Sequence, residues 1–336
     1  MSKGPALKPD ADAISDYIET LRRAPWLGSY QRWWPRFVFH SSDVENIAAA
    51  LNHGTLLSRN GAKNQGLLVK DCGSPAIISG LRDEDKDWVR LYFRPMTPTQ
   101  FSNEGIRPIA KIEYRAHVPV PVYLVFRSKD VLGLRSTCFT TGRFTRHSKR
   151  GDDVEFLRSI PFKKVFHEGR FARKDRDEIV DARHAEVLVK DSLSLDHLQA
   201  IGCRAEPERE TLFHLLEPAV LKRWRKQIVL ERPDRQLFNK RGTFVESVDL
   251  SPTHSNFTFY SNIPQDYRGP FHVRAEWHGA CKGEWEWEKE GYVVGTQRLK
   301  FTLREPLPHY TVRLEFNGDL AYQSTFVAPT VPEILR

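Results

Sequence analysis

Hydrophobic positions follow a helical period near the start of the chain and strand-like patterns further on. Spacings of three and four predict an amphipathic helix over residues 10–23 and a second helix that Ser42-Asp43 caps and His53-Gly54 ends. A helix is also expected after Leu195, and a last one over residues 211–225 with a break or kink at Pro218. Short apolar runs predict strands, of which the clearest are Phe37–His40, Trp88–Pro95, Val118–Phe126 and Val187–Val189.

The pattern changes after Arg232. Short alternating segments recur about every ten residues with Pro, Gly and Asn turns between them, which is typical of an antiparallel β-sandwich or small barrel. These segments are Thr243–Val248, Asn256–Tyr260, Phe271–Trp277, Tyr292–Val294, Leu299–Leu303, Tyr310–Phe316 and Ala321–Phe326. The sequence therefore predicts an α+β domain over residues 1–232 and an all-β domain over residues 233–336.

Composition narrows the class of protein. Of the 336 residues, 40% are hydrophobic and 28% charged, and no apolar run approaches the length needed to cross a bilayer. The first residues lack the apolar segment of a signal peptide, so a cytoplasmic location is expected. The net charge of +8 favours a polyanionic partner. Four separated cysteines, without a C-x-x-C pair, predict reduced thiols and no metal site: Cys72, Cys138, Cys203 and Cys281.

Two segments carry candidate chemistry. The run Asp181–Val189 sets Glu186 at the mouth of an apolar strand, and Phe39-His40-Ser41-Ser42 sets a histidine on another strand. A carboxylate facing a cleft suits stabilisation of a positively charged sugar, as in breakage of a glycosidic bond of NAD. The sequence contains no P-loop, no G-x-G-x-x-G after a strand, no H-E-x-x-H and no G-x-S-x-G. Any chemistry must therefore rest on scattered residues.

Five motifs in order resemble the DarT family of NAD-dependent ADP-ribosyltransferases that modify DNA bases. The resemblance covers residues 37–203 and leaves out the C-terminal β-rich part. It implies an ADP-ribosyltransferase-like split β-sheet core, NAD as co-substrate and no metal. The motifs are Phe39–Ile47 with its continuation His53–Ser58, Val89–Pro95, Val122–Val125, Phe139–Gly142 and Arg183–Val189.

The resemblance also implies roles for single residues. Glu186 matches the family's catalytic glutamate. The family's catalytic arginine lies upstream of the Tyr-Phe strand, where Arg82 is nearest and Arg90 and Arg94 are rivals. The residues expected to bind NAD are His40, Ser41, Ser42, Ala49, Leu57, Tyr92 and Arg94.

The segment from Phe93 to Ile106 differs from the thymidine-directed members and is closer to the guanine-directed branch. We therefore expect transfer to a guanine of single-stranded DNA. The family also implies a toxin in a toxin–antitoxin or antiviral defence setting, with a DarG-like macrodomain hydrolase as the antitoxin partner.

Basic residues flank the candidate site in the sequence and are expected to bind nucleic acid: Arg143, Arg146, Lys149, Arg150, Arg170 and Arg173. The region from residue 143 to residue 176 predicts long loops and short helices. Cations mixed with aromatics suit single-stranded polynucleotides, because charges follow phosphates and rings stack on unpaired bases. The aromatics in question are Phe144, Phe162, Phe166 and Phe171.

Two other functions remain open from the sequence. An enzyme of the same scaffold acting on RNA, either by ADP-ribosylation or by removing a 2′-phosphate, would use the same basic loops. A non-catalytic nucleic-acid-binding protein would place its function in the β-rich part. The sequence leaves the oligomeric state open.

Overall fold

A computed structural model describes residues 6–145, 147–279, 284–295 and 298–329. The helices of the described residues are α1 Ala11–Arg22, α2 Val44–His53, α3 Arg59–Asn64, α4 Pro75–Ser79, α5 Pro98–Asn103, α6 Ser128–Leu132, α7 Val154–Ser159, α8 Phe162–Val165, α9 Arg176–Ala182, α10 Glu206–Leu215 and α11 Pro218–Trp224. The strands of the first part are β1 Phe37–Asp43, β2 Thr55–Leu57, β3 Trp88–Tyr92, β4 Pro121–Arg127, β5 Thr137–Phe139, β6 Glu186–Lys190, β7 Ser192–Ser194, β8 Leu198–Cys203 and β9 Ile228–Leu230.

The central sheet of the described residues has seven strands in the order β5-β6-β3-β1-β4-β8-β9. Its middle is nearly divided. Strand β1 pairs with β4 from Phe37 to Asp43, and β3 pairs with β6 from Trp88 to Tyr92. Between β1 and β3, however, the register contains the single pair Phe39↔Tyr92. The sheet therefore consists of two halves that separate beside this pair, which is the split core that the resemblance implies.

Local sequence explains the helices beside the split. Helix α1 buries Ile14, Ile18 and Leu21 on one face, as its period predicts. At the start of α2 the Asp43 carboxylate accepts a hydrogen bond from the Glu45 backbone N–H at 3.2 Å. The helix ends at Gly54, whose φ of 86° is the left-handed conformation that glycine favours. Both predicted helices are confirmed.

Two helix predictions need correction. The chain after Leu195 forms one turn of 3-10 helix and then strand β8, because its apolar residues pair with β4 on one side and β9 on the other. The predicted last helix is two helices, α10 and α11. The break precedes Pro218, which has no backbone N–H to continue the helical hydrogen bonds.

The C-terminal part is β-rich, as predicted. Its strands are β10 Val245–Leu250, β11 His254–Phe259, β12 Phe271–Gly279, β13 Glu284–Tyr292, β14 Leu299–Thr302, β15 His309–Phe316 and β16 Asp319–Val327. Within the described ranges they form a three-stranded sheet, β10-β11-β14, and a four-stranded sheet, β13-β12-β15-β16. Strand β13 was not predicted, because its alternating glutamates lie at the edge of a sheet and leave little apolar signal.

The two parts touch along several contacts. The described residues form two apolar cores, one for each part, but Ile106 belongs to the second core and Leu320 to the first. Helix α10 packs on β16, where the Gln323 N–H donates to the Thr211 hydroxyl at 3.1 Å. The division at residue 232 therefore stays a prediction. Among the described residues, every helix is too short or too polar to span a bilayer.

Candidate active site

The split of the sheet brings three strands to one cleft. Strand β1 contributes His40, β3 contributes Arg90 and Tyr92, and β6 contributes Glu186. His40 closes the gap beside the single Phe39↔Tyr92 pair, because its Nδ1 donates a hydrogen bond to the Arg90 carbonyl oxygen at 2.9 Å. A side chain thus continues the contact between the two halves of the sheet where the backbone pairing stops.

Glu186 is fully buried, and both carboxylate oxygens are engaged. Arg90 donates from Nε to Oε2 at 2.6 Å and from Nη2 to Oε1 at 2.7 Å, and the Phe144 backbone N–H donates to Oε1 at 3.0 Å. Burial lowers the pKa of the Arg90 guanidinium, but the Glu186 carboxylate outweighs burial and the pKa is raised overall. The Arg90 guanidinium therefore stays charged and donates two hydrogen bonds to the Glu186 carboxyl group.

The loop after β5 is tied to the same glutamate. The Thr140 hydroxyl accepts a hydrogen bond from the Glu186 N–H at 3.0 Å, and the Thr140 N–H donates to the Glu186 carbonyl oxygen at 3.0 Å. These two bonds place the following residues, up to Phe144, against the carboxylate. The motif Phe139–Gly142 thus helps to position the Phe144 N–H against Glu186.

The cleft in front of these residues has a volume of about 310 Å³. Its walls combine flat or apolar surfaces with cations and small polar groups. The first class suits heterocyclic rings, and the second suits phosphate and hydroxyl groups. The apolar and aromatic walls include Ile47, Ala50, Leu57, Ile77, Ile78, Leu81, Trp88 and Tyr92, and the polar walls include Ser41, Ser42, Asn46, Thr99, Asn103, Arg59, Lys70, Arg90 and Arg143.

Of the residues predicted for catalysis or NAD binding, six line this cleft: His40, Ser41, Ser42, Leu57, Tyr92 and Glu186. Ala49 does not line it. Its neighbour Ala50 does, because one residue along a helix rotates the side chain by about 100°. Asn46, Ile47 and Ala50, which lie within three to four residues of one another, are therefore the positions of α2 that line the cleft.

The predicted arginines lie in three different places. Arg82 is outside the cleft lining, half exposed, and paired with Asp85 at 2.9 Å and Glu84 at 2.9 Å. Arg94 is buried and does not line the cleft, and its role in binding NAD stays a prediction. Its Nη1 donates to the carbonyl oxygens of Val165 and His167 at 2.9 Å each. Arg90, the remaining rival, is the arginine at the carboxylate.

Burial sets the protonation of the neutral groups in the cleft. It lowers the pKa of His40, so the ring is neutral and carries its proton on Nδ1, facing the Arg90 carbonyl oxygen. Burial, followed by the Glu186 charge, raises the pKa of Tyr92 to about 12. Behind the loop, burial lowers the pKa of His184 to about 4, and its Nε2 accepts a hydrogen bond from Arg143 Nη2 at 3.0 Å.

Two of the predicted nucleic-acid-binding cations lie at the cleft or next to residues at its wall. Arg143 lines it, and Arg150 packs over the rings of Trp88 and Phe144 at 5.5 and 5.4 Å. Arg146 lies outside the described residues. The remaining three, Lys149, Arg170 and Arg173, are exposed.

The predicted stacking aromatics are mostly core residues. Phe144, Phe162 and Phe166 are buried, so base stacking on them is wrong for this structure. Phe162 and Phe166 stack on each other at 5.3 Å instead. Only Phe171 among these four is partly exposed. The mixture of cations and rings in this stretch therefore reflects short helices that alternate between core and solvent.

In the described part of the chain, no three His, Cys, Asp or Glu side chains lie close enough together to bind a metal ion. The absence of a metal stays a prediction. Cys72, Cys138 and Cys203 are free thiols, and burial raises the pKa of Cys72 to about 12 and of Cys138 to about 11. Cys281 lies outside the described residues.

Comparison with solved structures finds similar proteins of low identity. Thermus sp. 2.9 DarT in complex with ADP-ribosylated ssDNA is 17% identical, with a TM-score of 0.47 over 60% of this chain and 97% of that one. The same protein in complex with NAD+ gives 18% identity and a TM-score of 0.45 over 60% and 98%. Thermosipho africanus DarTG in complex with ADP-ribose gives 12% identity and a TM-score of 0.43 over 63% and 52%. No curated protein sequence matches the chain.

Comparison with protein families is more informative. The family model described as "ssDNA thymidine ADP-ribosyltransferase, DarT" matches residues 39–233, which is more than half of the chain. The match includes all strands of the cleft, and the predicted ADP-ribosyltransferase-type α+β fold with a β-rich C-terminal part is confirmed. The chain therefore belongs to the DarT family of single-stranded DNA ADP-ribosyltransferases.

Proposed function

We propose that this protein transfers ADP-ribose from NAD to a base of single-stranded DNA and releases nicotinamide. The observation that carries the proposal is the buried Glu186 side chain, which Arg90 holds beside His40 where the sheet splits. Membership of the DarT family supports it. The Thermus protein similar to this chain was solved with NAD+ and with ADP-ribosylated ssDNA, which are the co-substrate and the product that the proposal requires.

The cleft has the chemistry that a dinucleotide requires. NAD contains two heterocycles, two riboses and a diphosphate. Aromatic and aliphatic walls at Trp88, Tyr92 and Leu57 suit the rings, and Arg59 and Lys70 offer positive charge for phosphates. Hydroxyl and amide groups on β1 and α2 suit ribose hydroxyls. The residues present thus fit NAD as co-substrate.

Glu186 supplies fixed negative charge to the reaction. Transfer breaks the bond between the ribose carbon C1′ and the nicotinamide nitrogen and forms a bond from C1′ to a nitrogen of the base, which loses a proton. As the first bond breaks, C1′ becomes positively charged, and a carboxylate that is already ordered by three hydrogen bonds stabilises that charge without rearranging. The same carboxylate is the acceptor for the proton that leaves the base.

His40 acts as a neutral positioning group in this proposal. Its Nδ1–H is committed to the Arg90 carbonyl oxygen, so Nε2 is left as a hydrogen-bond acceptor on a ring that lines the cleft. An acceptor of this kind suits a ribose hydroxyl. Arg90 holds both the imidazole, through its carbonyl oxygen, and the catalytic carboxylate, through its guanidinium.

We further propose guanine as the modified base. The segment that departs from the thymidine-directed pattern, residues 93–106, forms helix α5 and the turns around it. Two of its side chains, Thr99 and Asn103, line the cleft. The Thr97 hydroxyl caps this helix by accepting from the Gln100 N–H at 3.2 Å. The segment therefore contributes side chains to the cleft wall, and substitutions in it can alter which base the cleft accepts.

The family context extends to a partner. A relative is named DarTG and was solved with ADP-ribose. We propose that this chain, too, is a toxin that a macrodomain hydrolase of the DarG type counteracts by removing ADP-ribose from DNA. A setting in antiviral defence and a cytoplasmic location belong to the same proposal.

The experiment is mass spectrometry of single-stranded oligonucleotides incubated with the protein and NAD. One oligonucleotide contains guanine but no thymine, one contains thymine but no guanine, and one is the guanine-containing RNA. The expected result is one ADP-ribosyl group on the guanine-containing DNA, released nicotinamide, and no product with Glu186→Gln. Product only on the thymine DNA would overturn the choice of base, product only on RNA the choice of polymer, and no product on any of them the function.

A further inference from the structure

A hairpin of the C-terminal part reaches the wall of the cleft. Strands β15 and β16 are joined by Asn317 and Gly318, whose φ values of 53° and 80° make a tight turn. Asp319 follows the turn, and its side chain is 21% exposed. Its carboxylate forms an ion pair with Lys70, and His117 Nδ1 lies 2.9 Å from the same carboxylate. Both partners belong to the first part of the chain.

Lys70 is itself part of the cleft wall and is held from two sides. The Lys70 N–H donates to the Asn46 Oδ1 at 3.0 Å, and Asn46 Nδ2 donates to the Lys70 carbonyl oxygen at 2.7 Å. Asn46 Nδ2 also lies 3.2 Å from the Ser42 hydroxyl. Ser42, Asn46 and Lys70 all line the cleft. A shift of Lys70 would therefore also move Asn46 and Ser42, whose polar groups the proposed function assigns to the ribose hydroxyls.

His117 connects the same carboxylate to a second stretch of wall. Its Nε2 lies 2.9 Å from the Gly105 carbonyl oxygen, and the next residue, Val118, lines the cleft. A separate bond fixes the hairpin itself, because Asn317 Nδ2 donates to the Arg107 carbonyl oxygen at 3.3 Å. One carboxylate on an independently anchored turn therefore ties together two wall segments.

We infer that Asp319 is a positioning residue for the dinucleotide cleft, and that the β-rich part completes this cleft rather than acting as a separate module. Asp319 does not line the cleft, so it acts through Lys70 and His117. It lies well beyond residue 233, where the family match ends. The inference rests on the proposed function in one respect: NAD is taken as the ligand whose binding the wall controls.

The test compares two aspartates in the full chain. Asp319→Asn keeps the size of the side chain and removes its charge. Asp266→Asn is the matched control. Asp266, in the β-rich part, forms an ion pair at 2.6 Å with Lys111 of the first part, but neither residue lines the cleft. Amide hydrogen exchange without NAD should become faster at residues 67–73 in Asp319→Asn and stay as wild type in Asp266→Asn.

Binding of NAD gives the second readout. Calorimetry should show a roughly ten-fold weaker Kd for Asp319→Asn, and steady-state assays a raised KM for NAD with kcat within about two-fold, which is the effect expected of coupled neighbours. A Lys70→Met variant should weaken binding similarly, and the double variant should lose less than the sum of the two single losses, because both variants remove the same ion pair. Wild-type binding by Asp319→Asn with unchanged exchange at residues 67–73 would overturn the inference.

The two proposals fail in different ways. If wild-type protein binds no NAD, the proposed function falls. The exchange experiment still decides whether Asp319 orders the wall. If Asp319→Asn lowers the Tm of the whole protein and alters exchange everywhere, Asp319 is a general stabilising residue and the positioning role is overturned. A change confined to residues 67–73 and the NAD constants supports it.

Discussion

Arg90 and Glu186 lie on neighbouring strands, and the guanidinium of the first donates to both carboxylate oxygens of the second at 2.6 and 2.7 Å. Strands β3 and β6 fix this pair through their register, in which Tyr92 lies opposite Glu186. Since Arg90 is two residues before Tyr92, both side chains are on the face of β3 that looks into the cleft. The pairing of β3 with β6 therefore fixes the position of the Glu186 carboxyl group relative to Arg90 and to the cleft.

Replacing Glu186 by glutamine should abolish most of the transfer activity. The amide is the same size but carries no negative charge, so it cannot stabilise a positive ribose carbon, and we expect a loss of about 10²- to 10³-fold in kcat. The measurement is the initial rate of nicotinamide release with oligonucleotide present. Glu168→Gln, at a half-exposed carboxylate that pairs with the buried Arg94, is the control and should keep the wild-type rate. A wild-type rate for Glu186→Gln would show that the carboxylate plays no part in the chemistry.

Arg90→Lys should impair the enzyme, and Arg82→Lys should not. Lysine retains the charge but cannot donate in the two-pronged geometry that holds Glu186, so we expect at least a ten-fold loss for Arg90→Lys. Arg82 pairs with Asp85 and Glu84 outside the cleft, and its replacement should leave the rate within about two-fold. Rates of transfer for the two variants, measured side by side, identify the catalytic arginine. The reverse pattern would restore Arg82 to that role.

The arginines show what sequence patterns can and cannot decide here. Arg90, Tyr92 and Arg94 alternate, so the pattern alone puts all three on one face of a strand. The strand ends at Tyr92, however, and the chain then turns, with Met96 at a φ of 52°. Arg94 is thereby directed to the buried side, where it lies over the ring of Trp34 at 4.7 Å. The end of a pairing ladder is a tertiary property, which the local pattern does not contain.

Other features were predicted where local rules suffice. The N-cap at Asp43, the glycine end of α2 and the buried strand positions follow from residue type and spacing, and the family motifs marked His40 and Glu186. Contacts between distant residues were not predicted. The ion pair of Lys70 with Asp319 joins residues 249 positions apart, and neither residue has a sequence neighbourhood that signals the other.

Stability should depend on pH through Asp43. Burial raises the pKa of its carboxyl to about 7 from an ordinary value of 3.8, despite the opposing charge of Lys70. Because the folded-state pKa is raised, this group's contribution to stability is complete below pH 4 and is lost as the pH rises through 7. Asp43→Asn keeps an acceptor for the helix cap and removes this dependence.

Urea unfolding of wild type and Asp43→Asn at pH 4 to 8 measures the effect. The difference in unfolding free energy should move in favour of the variant by up to about 1.4 kcal/mol for each pH unit between the two pKa values. Taking the difference in unfolding free energy between the two proteins cancels the contributions of the titrating groups that both contain. A difference that is independent of pH, or one that favours wild type as the pH rises, would show that Asp43 has an ordinary or a lowered pKa in the folded state.

Two exposed arginines of the basic stretch, Arg170 and Arg173, should contribute to the affinity for DNA. Arg170→Ala with Arg173→Ala removes two exposed charges of the stretch predicted to follow phosphates. If both arginines neutralise phosphates, affinity for single-stranded DNA should fall, and the slope of log K against log salt should become less steep by about 0.7 for each phosphate that is no longer neutralised. Fluorescence anisotropy with a labelled oligonucleotide at several salt concentrations measures both quantities.

The control is the double variant Lys222→Ala with Lys226→Ala. It makes the same change in net charge at α11 and just after it, and should leave the slope unchanged. Equal effects of the two double variants would mean that net charge, rather than a track of phosphate-binding groups at Arg170 and Arg173, governs DNA binding.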